Sequence, residues 1–141
     1  TTMSNAASNY LENATLDFWL NGNSGSHTSP STLYLGLFHG TASGVLANLE
    51  TGTLSDEVTL GSYVRQSATF GSASGGSISN DQAVTFPTAT GNYDAAVTCI
   101  AILDASSGGQ VLWAGELSVT KTVTTGDQFQ VATGNLQVSL T

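Results

Sequence analysis

The chain has 141 residues, 40% of them apolar and 9% charged, which supports a single domain with a real hydrophobic core and argues against intrinsic disorder. Only Arg65 and Lys121 are basic, against ten acidic residues, so the net charge is −8; two cations do not neutralise a run of phosphates, and neither nucleic acid nor an anionic membrane surface is an expected partner. Cys99 is the single cysteine, so no internal disulfide can form, and no stretch approaches the ~20 apolar residues of a membrane span.

Residues 1–8 read as a flexible N-terminal arm and residues 9–141 as one domain. In "SNYLENATLDFWLNG", Ser8 or Asn9 can cap a helix, and Glu12 stands three positions after Asn9 in a capping-box arrangement. Leu11, Ala14 and Phe18 recur at helical spacing, Thr15 and Trp19 flank that stripe, and Gly22 is a natural stop. The reading is a helix from Asn9 to Leu20, the only helix expected in the chain. After the polar loop "NSGSHTSPS", Thr32–Phe38 reads as a strand with Leu33, Leu35 and Leu37 on one face and Tyr34 and Phe38 on the other. A strand apolar on both faces is covered on both, and the preceding helix is the obvious cover for one of them.

Gly40–Gly61 lacks a clean period and reads as a long loop holding an apolar cluster, Val45, Leu46 and Leu49. Long ordered loops are usually functional or partner-bound. Strands resume at Ser62–Phe70 and "SISNDQAVTF", separated by the turn "GSASGG". "AAVTCIAILDA" is a second buried strand, with Val97, Cys99, Ala101 and Leu103 on one parity and Ile100 and Ile102 on the other. The turn "SSGGQ" leads into "VLWAGEL", and "FQVATGNLQVSL" closes the chain. Roughly seven to eight strands with turns about every 8–12 residues indicate a mainly β domain, a single antiparallel β-sandwich with one N-terminal helix packed on it.

Little reactive chemistry is visible. Cys99 sits mid-strand between apolar residues and reads as core rather than nucleophile. His27 and His39 lack the spacing of a zinc site, and no G-x-S-x-G turn supports a serine nucleophile. Asp56, Glu57, Asp81, Asp94, Asp104 and Asp127 mostly fall in turns, where carboxylates usually bind their own backbone. Trp113 alternates with Val111 and reads as core, whereas Trp19 lies at the margin of the helix stripe and is free to face the sheet or a neighbour. No cofactor and no metal site is expected.

Five segments taken in order, "SNYLENATLDFWLNG", "SPSTLYLGLF", "GSYVRQSATFGSASGGSISNDQAVTFPTAT", "CIAILDASSGGQVLWAGEL" and "KTVTTGDQFQVATGNLQVSL", resemble a family of small tailed-bacteriophage virion structural proteins, many of them labelled tail fibre. The resemblance spans nearly the whole chain apart from Gly40–Gly61. It implies a non-enzymatic component of the phage particle and transfers no catalytic residue. The expected role is a capsid cement (decoration) protein bound outside the major capsid protein lattice, as a homo-oligomer and most naturally a trimer at local three-fold sites. Contacts would come from Thr1, Thr2, Met3, Trp19, Val45, Leu46 and Leu49. The alternative is a tail-fibre, collar or receptor-binding module, which an exposed Trp19 or Tyr93 in a groove would favour.

Overall fold

The computed structural model describes residues 6–22 and 28–140. The chain folds into β1 (Ala6–Ala7), α1 (Asn9–Leu20), β2 (Leu33–His39), α2 (Ala42–Glu50), β3 (Gln66–Ala68), β4 (Ser77–Ser79), β5 (Val84–Thr85), β6 (Val97–Leu103), β7 (Val111–Lys121), β8 (Gln130–Val131) and β9 (Gln137–Ser139). A five-stranded antiparallel sheet, ordered β1-β7-β6-β2-β3, forms one layer. Two antiparallel ribbons, β4-β9 and β5-β8, form the other. The fold is therefore the expected β-sandwich, with its second layer divided.

The two long central strands, β2 and β6, have core on both faces. Leu35 and Leu37 of β2 and Ile100 and Ile102 of β6 join Phe86, Phe129, Leu136 and Val138 between sheet and ribbons. Phe38, Cys99, Ala101 and Leu103 face the opposite way, onto Val45 and Leu49 of α2. The register of β6 shifts between Val97 and Cys99, which moves Val97 to the ribbon side with Ile100; strict alternation had placed it with Cys99. Gly36 interrupts "LYLGLF" because a Cβ there would stand 3.0 Å from Leu103 Cδ1 and 3.1 Å from the Phe38 ring.

Helix α1 has the expected bounds. Ser8 is its N-cap, accepting from Leu11 N at 3.3 Å, while the Ser8 hydroxyl donates to the Val111 carbonyl. Ala6–Ala7 pair with Ala114 and Trp113, so part of the segment assigned to an arm, Ala6–Ser8, is built into the sheet edge. The rest of it, Thr1–Asn5, lies outside the described residues.

Two expectations change. Gly40–Gly61 contains a second helix, α2, in place of a loop. Ala42, Val45, Leu46 and Leu49 recur at i, i+3, i+4 and i+7, a helical face obscured by Gly44. Consequently α2, not α1, covers the Phe38 face of β2. Helix α1 instead packs along β7.

The "SYVRQ" segment supplies a buried polar clamp. Arg65 grips Glu57 through two parallel bonds, Nε to Oε1 and an Nη to Oε2, both 2.7 Å. Its other terminal nitrogen donates to the carbonyls of Ala105 and Gly108, at 2.7 and 2.8 Å, holding the β6–β7 turn. Tyr63 donates its hydroxyl to Glu57 at 2.8 Å and accepts from Leu37 N at 3.0 Å. Within that turn Gly109 has φ +74, and a Cβ on it would collide with Asp104 Oδ1.

Candidate partner interface

Helix α1 has more apolar residues than one face can bury. Ala14 is the residue it buries. Leu11 and Ala14 turn toward the body and Phe18 is 43% exposed, while a second stripe, Leu16, Trp19 and Leu20, follows at i, i+3, i+4. Those three side chains are 55%, 74% and 81% exposed. Phe18 and Trp19 meet edge to face, with ring centroids 5.1 Å apart, which holds the Trp19 indole at the helix margin. Exposed apolar side chains grouped on one helix face make it a candidate interaction surface.

Beside this helix runs an open groove of about 480 Å³. Its helical wall includes Tyr10, Phe18 and Trp19; its floor and far wall include Leu33, Phe70, Ile78, Trp113 and Val138. Both tryptophans of the chain thus line one apolar channel. Trp113 is half-buried and packs on the larger core while forming part of the groove floor.

The residues expected at an interface are distributed differently. Trp19 is on the exposed rim of the groove. Val45 and Leu49 are closed into the core beneath α2, so neither is available to a partner; their apolar character serves the chain's own packing. Leu46 is half-buried against the same cluster. Thr1, Thr2 and Met3 lie outside the described residues. Tyr10, Leu16, Phe18 and Leu20 were missed, although the second stripe was visible as Leu16-x-x-Trp19-Leu20 once a single helix face had been filled.

Several of the reactive candidates have structural surroundings. Cys99 is fully buried; burial pushes its thiol up, and Sγ lies 3.8 Å from the Ala42 carbonyl oxygen. His39 is half-buried at the end of β2, and His27 lies outside the described residues. Asp104 and Asp127 accept backbone N–H groups within their own turns, from Gln110 at 2.7 Å and Thr124 at 2.9 Å. Asp94 instead reaches across to another loop, accepting from Thr59 N, the Thr59 hydroxyl and Leu60 N at 2.6, 2.9 and 3.1 Å. Among the described residues no group of three His, Cys, Asp or Glu side chains is placed to hold a metal ion.

These bonds set a pH window. Burial raises the Asp94 carboxyl, but the Thr59 and Leu60 donors outweigh it and hold the group below its ordinary value of 3.8; the Thr124 donors do the same for Asp127. A carboxyl with a lowered folded pKa adds stability above its unfolded value, and that stability is lost as pH falls through the folded one. Tyr63 and Tyr93 are raised above their ordinary value of 10.0, chiefly by burial. Above that value the unfolded chain binds fewer protons than the folded one, so stability falls again. With the Cys99 thiol likewise raised from its ordinary value of 9.0, the unfolding midpoint should be flat across neutral pH, dropping below about pH 4 and above about pH 9, as a pH series of thermal melts will read. In Asp94→Asn the acid limb should be shallower.

A family model described as Podophage GP4 fiber I protein gp80 matches residues 6–139. No curated protein matches the chain.

Proposed function

We propose a specific role for this chain from one premise: it belongs to the Podophage GP4 fiber I protein gp80 family, and so is a structural protein of the tailed-phage virion. Within the particle we assign it to a fibre rather than to the capsid surface, as a non-enzymatic subunit that docks onto other virion proteins. The observation that carries this reading is the exposed Trp19 on the rim of an apolar groove. Tyr93, the other aromatic considered for such a role, is buried in the core and takes no part. The family's description as a fiber protein supports the same reading. The contacts belong to the Leu16–Trp19–Leu20 face, with Thr1, Thr2 and Met3 as further proposed contributors.

Copy number tests the location. Quantitative mass spectrometry of purified particles should find this chain far below the major capsid protein and enriched in tail fractions. A count comparable with the major capsid protein would make it a cement protein instead. The Trp19→Ser/Leu20→Ser double variant tests the contact surface. Both side chains are exposed, so thermal stability should change by no more than about 0.5 kcal/mol per site. Incorporation into particles should fall about tenfold or more, because each truncation removes on the order of 1–3 kcal/mol of apolar burial at the joint. Normal incorporation of the folded variant would remove this face from the assembly.

A further inference from the structure

We infer that the groove beside α1 receives a short apolar segment flanked by lysine or arginine, contributed by a different protein of the particle and not by a second copy of this chain. The inference rests on the proposed docking role and adds the chemistry of the partner.

The first observation is the asymmetry of charge around the site. The groove is walled by apolar side chains, among them Phe18, Trp19, Phe70 and Trp113, and among the described residues the one charged side chain in its lining is the carboxylate Asp104. Asp104 Oδ1 accepts from Gln110 N at 2.7 Å, which fixes the group at the groove wall. Among the described residues no lysine or arginine lines the groove. The Arg65 side chain is 3% exposed and locked to Glu57, and Lys121 lines a separate cavity of about 330 Å³ near Val123 and Phe129.

The second observation concerns what a copy of this chain could offer. It would bring a further net charge of −8 and one cation not engaged in the buried ion pair, Lys121. A self-complementary contact through this groove would bring two Asp104 carboxylates and two chains of net charge −8 together, and like charge at an interface suppresses association. A partner with an apolar anchor and basic flanks satisfies both features: the anchor fills the channel, and the flanks meet Asp104 and the net negative charge of the chain. The groove volume is that of a cleft that holds a ligand-sized group, which fits a few side chains rather than a whole domain face.

The position of both tryptophans in this channel supplies the readout. Three tryptophan-free peptides with a common Leu-Phe-Leu core, flanked by Lys-Lys, Ser-Ser or Glu-Glu, are titrated into the full chain at low and at moderate salt. Binding of the lysine peptide should shift tryptophan emission to the blue and be about tenfold tighter than that of the glutamate peptide, with a preference that shrinks as salt rises. Asp104→Asn, which retains the acceptor for Gln110 N, should remove much of that preference while leaving the serine peptide unchanged. Equal binding of the three peptides, or no binding of any, overturns the inference. So does a dimer seen in sedimentation that Trp19→Ser dissociates, which would make a second copy the occupant. These outcomes do not depend on where the protein sits in the particle, so a capsid-level copy number would defeat the fibre assignment and leave this test standing.

Discussion

Arg65→Leu lowers the unfolding free energy by about 3–5 kcal/mol, because it breaks a buried ion pair from one side and leaves the other charge uncompensated. Arg65 is one of two cations in the chain, and its side chain is 3% exposed against 18% for Glu57. Its loss frees Glu57 from two bonds and strips the carbonyls of Ala105 and Gly108 of their donor. The turn between β6 and β7 then loses its anchor at the centre of the sheet. Urea unfolding reads the change, and melting should shift down on the order of 10 °C. Arg65→Lys should recover only part of the loss, since an ammonium cannot match the carboxylate fork and the two carbonyls together. Replacing both members, Arg65→Leu with Glu57→Leu, should restore much of the stability, because no unpaired charge remains. A single Arg65→Leu variant within about 1 kcal/mol of the parent would show that the clamp contributes geometry without stability.

Phe86→Ala should cost a similar amount, about 3–5 kcal/mol, by opening a cavity in the larger core. Phe86 is fully buried immediately after β5. Its ring stacks on Tyr63 at 5.9 Å and meets Phe129 edge to face at 5.6 Å. Deleting it also removes the support behind Tyr63, whose hydroxyl links Leu37 to Glu57. The two sites therefore share a neighbour, and the double variant should depart from additivity by about 0.5–3 kcal/mol in a urea double-mutant cycle. Strict additivity would show that the aromatic stack and the polar clamp act independently.

The parts of the fold legible in the sequence are those where local signals and packing agree. Helix α1 carries a cap, a stripe and a glycine stop, and its bounds are those expected. Leu33–His39 and Val97–Leu103 are β-rich runs buried on both faces, and they stand at the centre of the sheet. Strands came out too long where tertiary contacts, not residue type, end the pairing. "SISNDQAVTF" breaks into β4 and β5 because Asn80 turns inward: it accepts from Leu136 N at 2.9 Å and donates to the carbonyls of Gln82 and Ala132. No local signal in Asn80 reveals partners more than fifty residues away. The missed helix α2 was legible in its spacing and was masked by Gly44. The interface was half visible: Trp19 stood out as an aromatic at a helix margin, whereas Val45 and Leu49 were misplaced because a buried helix face and a sticky loop look alike when only residue type is read.

The same long reach of the chain governs how this molecule is made and how long it lasts. Ser8 bonds to Val111, 103 residues later, and Ser77 meets Ser139 across 62. Neither layer can close until distant segments arrive, so folding carries a large loop-closure cost and belongs to the slow, millisecond-to-second class of β domains. Once both layers are locked, β1 and the two ribbons cannot peel away without breaking pairings to segments distant in the sequence. A slow unfolding rate is what a component exposed outside the cell requires, where no chaperone can repair it and proteases meet any strand that opens.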